Sequence, residues 1–227
     1  MRTGWSKSII PSSPCLLLLQ NGSLAVKGGR ELASTINKLL DLPFRLKVAT
    51  GDNHPPDHCS FASQHPGKQP FSSEHTVRNP ESEGPDAEEQ TTSLWPDHCV
   101  QGTSGAELIP ELDLAKVHHV VKKGEDKRVE SYSAFGPPFR KPAVGMSKLP
   151  TLLEENGIKR VFVCGLALDF CVRFTAVDAA ERGFETYVIE DATKAVDQSS
   201  DALAATRKEM EEQGVRFVSS RAEDLRM

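Results

Sequence analysis

Apolar residues along this chain recur in two rhythms. Leu32, Ile36, Leu39 and Leu40 fall at i, i+4, i+7 and i+8, one stripe that predicts a helix over residues 29–40. The run 46–50 is short and apolar and meets Gly51 and Asp52 at its end, as a buried strand would. The alternation resumes downstream, with strands predicted over 115–121, 160–166, 185–189 and 215–219 and helices over 148–156, 169–182 and 200–213. Gly157, Gly183 and Gly214 stand just past the three helices, at the position where glycine commonly ends one. Within 169–182, Phe170, Phe174 and Val177 share a face. Strands alternating with helices of this length imply right-handed βαβ units. The expected fold is therefore α/β, a mostly parallel sheet with helices on both faces in three layers. Function in such sheets collects at the carboxyl ends of the strands. That rule picks out 52–54, the stretch after Val121, and 166–171.

Two stretches depart from the rhythm. Residues 71–93 read FSSEHTVRNPESEGPDAEEQTTS, polar and acidic with two prolines. Such a segment buries little, so 72–93 is expected to be an exposed loop insertion, with order and disorder both open. Near the start, Pro11 and Pro14 are expected to exclude a regular central strand, leaving 15–20 as the candidate for a short one. The expected organisation is an aberrant or disordered segment 1–21, one domain over 22–220, and a tail over 221–227.

The net charge of −5 gives no basic footprint for nucleic acid. No apolar run is long enough to span a bilayer, and the apolar stretch 15–19 is too short for a secretory signal. Five cysteines, odd in number and scattered, argue against a disulfide framework and for a reducing compartment. The cytoplasm is the expected location, with the nucleus or peroxisome as alternatives.

Candidate chemistry sits at the strand ends. Asp52 and His54 follow a strand directly, at i and i+2, and could converge on one cation. His58 and His98 lie further along. Carboxylate and imidazole suit zinc, iron or manganese. Taken alone, D-x-H in a loop is a weak signal, equally at home on a polar surface. Cys171 comes just after a predicted helix start that follows a strand. Helix-terminal N–H groups and the dipole there favour a thiolate and can hold an oxyanion. A buried, inert cysteine fits the same position. Lys123 ends the strand pattern VVKKG and could add a cation to the same site, or belong to a solvated basic turn with Lys122 and Lys127.

In combination these pieces closely resemble nicotinamidases, within the isochorismatase-like cysteine hydrolases. The resemblance is carried by GSLAVKGG (22–29), HPPDHCSFASQH (54–65) with PGKQPF (66–71), and LWPDHCVQGT (94–103). It continues through Lys123-Gly124, SYSAF (131–135) and GLALDFCV (165–172), and covers most of the chain. It implies an isochorismatase-like fold, a divalent metal with zinc foremost, and hydrolysis of nicotinamide to nicotinate and ammonia in NAD salvage. By position, Cys171 matches the nucleophile and Lys123 the lysine of an Asp-Lys-Cys triad. Asp52, His54 and His98 match metal ligands, and His58 a ligand found in some members. Ala167 and Cys171 match the N–H groups of the oxyanion hole, and Leu166–Ala167 a cis peptide beside the substrate. Trp95 and Tyr132 match aromatics along the substrate ring. The implied partner is a small molecule, with homo-oligomer formation compatible.

One departure matters. Family members begin with a strand ending in Asp-x-Gln-x-Asp-Phe, whose first aspartate is the general base. Here Ser12 or Ser13 stands in its place, and no aspartate precedes Asp41. Serine brings neither charge nor basicity near neutral pH. A replaced or misread first exon around an otherwise intact gene accounts for this, as does a degenerate protein. Asn53 and Gly51 also stand where the family has Trp and Gln around the first metal aspartate. The competing functional expectations are an inactive metal- and ligand-binding relative, and a hydrolase acting on another amide or on isochorismate.

Overall fold

The computed structural model describes residues 6–12 and 23–225. Six strands form one parallel sheet: β1 (Lys7–Ser12), β2 (Leu46–Asp52), β5 (His119–Lys123), β6 (Arg160–Leu166), β7 (Glu185–Lys194) and β8 (Arg216–Val218). Their order is β5-β2-β1-β6-β7-β8, every neighbour parallel. A separate antiparallel hairpin joins β3 (Glu74–Arg78) and β4 (Glu89–Ser93). The helices are α1 (Leu32–Leu40), α2 (Leu149–Glu155), α3 (Arg173–Glu181) and α4 (Ser200–Glu212).

The sheet is covered on both faces because its strands alternate apolar residues between two cores. Ile9, Phe162 and Ile189 pack with Leu32, Ile36 and Leu39 of α1. Their sequence neighbours Ile10, Val163 and Val188 pack on the other side with Leu149 and Leu153 of α2, Ala176 and Ala179 of α3, and Met210 of α4. The α/β expectation, helices on both faces, holds.

The N-terminal expectation does not. Residues 7–12 form a central strand despite Pro11, and β1 pairs with β6 from Lys7–Arg160 through Ser12–Gly165. Backbone direction explains the tolerance. The Ser6 carbonyl accepts from Lys159 N on the β6 side, whereas the Lys7 carbonyl accepts from Arg45 N on the β2 side. Pro11 has the parity of Lys7, so its missing N–H faces β2. There the pairing consists of Ser8–Leu46 and Ile9–Lys47. Proline removes a donor only where the ladder has already ended. The alternative strand over 15–20 lies outside the described residues.

The acidic segment is largely exposed, as expected of a loop insertion, but it is ordered as a hairpin. Thr76–Thr91 and Val77–Gln90 pair across the hairpin, and Val77, Asn79, Ala87 and Thr92 are buried. Val77 packs in a small cluster with Val129, Phe139 and Val144. Glu88 Oε2 accepts from the backbone N–H groups of Arg140 and Lys141, at 2.7 and 2.8 Å. The few apolar residues of the segment are spaced to dock on a neighbour rather than to make a core of their own.

Smaller differences are local. β5 begins later than predicted because 114–116 form a 3-10 turn, and β7 runs on to Lys194. The predicted helix 169–182 opens as a π-helical turn, Leu168–Val172, before α3. The buried side of this stretch is Val172, Thr175, Ala176 and Ala179, while Phe174 is 37% exposed. Small residues let α3 approach the sheet closely, and the phenylalanine stripe turns elsewhere.

Phe162 is fully buried, stacked on Tyr187 at 4.8 Å and edge-on to Phe44 at 5.6 Å. Phe162→Ala is expected to lower unfolding free energy by about 3–5 kcal/mol, read from urea denaturation.

Candidate active site

Asp52 and Lys123 end β2 and β5 in direct register. Parallel partners project side chains to the same face, so the carboxylate and the ammonium meet: Lys123 Nζ lies 2.5 Å from Asp52 Oδ1. The ammonium donates to the Ser131 carbonyl at 2.6 Å and approaches Cys171 Sγ at 3.4 Å. The buried ammonium thus has an ion pair, a carbonyl and a sulfur around it. The basic-turn alternative fits Lys127, which pairs with Asp57 at the surface, but not Lys123.

Cys171 is buried in the turn that follows β6. The preceding Leu166–Ala167 peptide is cis. The four cysteines described, Cys59, Cys99, Cys164 and Cys171, are all unbridged, in line with the reading against disulfides. Burial raises the Cys164 thiol pKa and pushes Cys59 up to about 12, which suits structural thiols.

Next to the thiol, Asp52, His54 and His98 offer ligand atoms all within 4.8 Å of one another. Two backbone contacts aim the rings. His54 Nδ1 lies 3.0 Å from the Gly124 carbonyl and His98 Nδ1 2.8 Å from the Pro96 carbonyl. Each Nδ1–H donates to its carbonyl, which leaves Nε2 as the lone-pair nitrogen, the usual arrangement at a metal-ligating histidine. Residues 98–101 run beside 53–54: His54 N donates to the Cys99 carbonyl and Gln101 N to the His54 carbonyl. Phe61 packs against the rings of His54, His58 and His98 at 5.5–5.7 Å. These residues fit a divalent cation by donor type, spacing and ring orientation. His58 is fully buried beside them, with contacts to Ser60 Oγ at 2.8 Å and the Val129 carbonyl at 3.1 Å. Together with His54 and Glu130 it forms a second group of ligand-type atoms.

Electrostatics support a charge state for each of three groups. Burial opposes the Asp52 anion, yet the adjacent Lys123 ammonium outweighs it and holds the carboxyl at about 2. Burial brings His54 down to about 3, so its imidazole is neutral and a lone pair is available. Burial works against the Lys123 ammonium too, but Asp52, Cys171 and Glu130 overcome it and keep the lysine charged.

The cavity above this cluster is lined by Asp52, His54, His98, Lys123 and Cys171 below and by Trp95, Tyr132 and Phe170 along its walls. Phe170 stands edge-on to Trp95 at 4.9 Å and tilted to Tyr132 at 5.4 Å. Trp95 Nε1 donates to the Tyr132 hydroxyl at 2.8 Å. The structure therefore brings Cys171, Lys123, Asp52, His54, His98, Trp95, Tyr132 and Ala167 to one place. Leu166 goes elsewhere: its side chain packs with Leu32, Ile36 and Ile109 in the core. Asn53 also stays out of the cavity, donating to Glu125 at 2.7 Å. Sequence reasoning missed Glu130, Phe170 as a wall, and Leu24 and Val196 at the rim. Glu130 directly precedes the SYSAF run, but one acid in a polar stretch carried no signal. Its burial opposes the anion, yet the Lys123 ammonium nearby favours it, and its pKa lies below the usual carboxylate value.

The β1 register bears on the missing acid. Ser12 pairs with Gly165 at the carboxyl end of the sheet, and β1 lies between the strand of Asp52 and the strand that leads to Cys171.

Gly124 supplies a close approach. A Cβ there would fall on the His54 ring, and the residue has φ +65°. Gly124→Ala is expected to cost about 1–3 kcal/mol and to lower metal content, read by denaturation and elemental analysis.

With this geometry in place, comparison with known proteins is informative. The model of the isochorismatase domain matches residues 48–222. A nicotinamidase of Acinetobacter baylyi is 43% identical over 88% of this chain and 86% of its own. The yeast nicotinamidase solved with the inhibitor nicotinaldehyde superposes with a TM-score of 0.86 at 30% identity, over 94% of this chain and 99% of that one. A protein from L. infantum, solved in complex with nicotinate, gives 0.77 at 38% identity over 95% and 93%. Pyrococcus horikoshii pyrazinamidase in complex with zinc gives 0.71 at 29% identity over 94% and 99%. The chain belongs to the isochorismatase-domain family and stands within it among the nicotinamidases and pyrazinamidases.

Proposed function

We propose that this protein hydrolyses nicotinamide to nicotinate and ammonia, a step of NAD salvage, through a thioester on Cys171. The observation that carries the reading is the contact of Lys123 Nζ with both Cys171 Sγ and Asp52 Oδ1 beneath an aromatic cavity. The relatives named nicotinamidase, and the neighbours solved with nicotinate and nicotinaldehyde, support the substrate.

In this reading the Cys171 sulfur adds to the carboxamide carbon as its thiolate, which the Lys123 ammonium stabilises. The oxygen that gains charge points at the N–H groups of Ala167 and Cys171. The C–N bond breaks and the nitrogen leaves as ammonia with the thiol's proton, and a thioester remains. Water then adds its hydroxyl to the acyl carbon and returns a proton to sulfur, releasing nicotinate. Trp95, Tyr132 and Phe170 clasp the ring. Asp52, His54 and His98 would hold a divalent cation, with zinc favoured by the zinc-bound neighbour. When bound, the ion offers an anchor for the pyridine nitrogen or for a water beside it.

The weak link is the proton carrier. Lys123 stays charged and cannot serve as base, and a serine stands where the resemblance places an aspartate. Loss of a positioned general base costs about 10²–10⁴-fold. The same serine favours the second reading, a relative that binds the pyridine ligand and turns over little.

Ammonia release from nicotinamide by the purified chain tests the proposal. Turnover is expected to be slow, to vanish in Cys171→Ala, and to rise by about 10²-fold or more in Ser12→Asp or Ser13→Asp. Failure of the unaltered protein to bind nicotinate in calorimetry would remove the substrate assignment. Binding without any gain in either aspartate variant would remove the account of the missing base.

Chelator treatment followed by dialysis supplies a separate check. Activity is expected to fall and to return with zinc at about one equivalent per chain, and Asp52→Asn or His98→Ala should not retain the ion.

A further inference from the structure

The hairpin insertion reaches the cavity. Thr92, on β4, is almost fully buried, and its hydroxyl lies 2.8 Å from the hydroxyl of Tyr132. That same phenol accepts from Trp95 Nε1 at 2.8 Å. Thr92 Oγ1 also has the Ser93 carbonyl as an acceptor at 3.4 Å. The donors and acceptors then read in one direction. Indole N–H gives to phenol, phenol gives to threonine, and threonine gives to the main chain that leads into Leu94 and Trp95. Each group in such a run polarises the next.

The hairpin is held at both ends. Near the cavity, Phe71 N donates to the Leu94 carbonyl and Leu94 N to the Ser73 carbonyl. At the far end, Asn79 Nδ2 donates to the Pro142 carbonyl at 2.9 Å, and Arg128 Nη1 contacts Glu81 Oε1 at 2.8 Å. The segment therefore ties the stretch carrying Trp95 to the stretch carrying Tyr132, two walls of one cavity.

We propose that Thr92 is a positioning residue that sets the gap between the Trp95 and Tyr132 walls, and through it the affinity for a flat heteroaromatic ring. The hairpin is the brace that carries it. The inference rests on the proposed substrate for its kinetic readout but not for its spectroscopic one. Thr92 itself does not line the cavity, so its effect passes through Tyr132.

The test compares Thr92→Val, which keeps the shape and removes the hydroxyl, with Thr92→Ser, which keeps the hydroxyl. Both are made in a Trp5→Phe background so that Trp95 is the one indole. Thr92→Val is expected to shift Trp95 emission in the free protein and to weaken nicotinate binding about five- to tenfold in calorimetry, the weight of one hydrogen bond. It should raise KM for nicotinamide by a similar factor with kcat within about twofold. Thr92→Ser should restore all three. In a Tyr132→Phe background, Thr92→Val should have no further effect on emission or binding.

Unchanged emission and affinity in Thr92→Val overturn the proposal. So does a loss that Thr92→Ser fails to restore, or a loss that persists in full without the Tyr132 hydroxyl. If Thr92→Val does not fold, Tyr132→Phe alone must reproduce the emission shift and the weaker binding, and failure to do so also overturns it. Should the unaltered chain not bind nicotinate at all, the substrate assignment fails while the emission comparison still decides the brace.

Discussion

A buried ammonium held by a carboxylate, a carbonyl and a sulfur is the constraint on which this molecule turns. Lys123 joins Asp52, the Ser131 carbonyl and the Cys171 sulfur in a place with little water. Removing Asp52 would leave the ammonium unmatched in a poorly solvating interior, where breaking such a pair is strongly destabilising. Three separate parts of the chain are therefore bound to one nitrogen: the end of β2, the SYSAF segment and the turn after β6. The Asp52, His54 and His98 cluster and the aromatic walls inherit their positions from those three.

The sheet places this knot where its topology demands. Parallel order puts every strand's carboxyl end on one edge, and the sequence order brings β2, β5 and β6 to that edge near one another. Direct register between Asp52 and Lys123 then needs no special loop. The histidines do need one. The main-chain bonds between 53–54 and 99–101 draw together residues far apart in sequence, and Cys99 adopts a left-handed φ of 47° to make the turn.

What could be read in the sequence follows the reach of the interactions. The 3.6-residue stripe of α1 and the apolar run of β6 are local patterns, and both stand where they were expected. That Cys171, Lys123, Asp52, His54 and His98 lie together was legible only through the ordered set of motifs, since each alone also suits a surface loop or an inert core. Pro11 misled because a proline's effect depends on which neighbour its nitrogen faces, a fact of pairing rather than composition. Residues 71–93 left their order open for a related reason. Their apolar content is small, but Val77 and Thr92 spend it on contacts with residues 129 and 132, fifty or forty positions away. Glu130 was hidden likewise, since nothing local distinguishes a buried acid from an exposed one.

Phe61 touches three imidazoles at once, which has a consequence for how the proposed ion would arrive. The rings are propped by hydrocarbon from beneath and steered by carbonyls from the side. Little conformational freedom is left for the guest to remove, so loading should resemble a key entering a cut lock, without the ordering transition seen when a metal nucleates its own host.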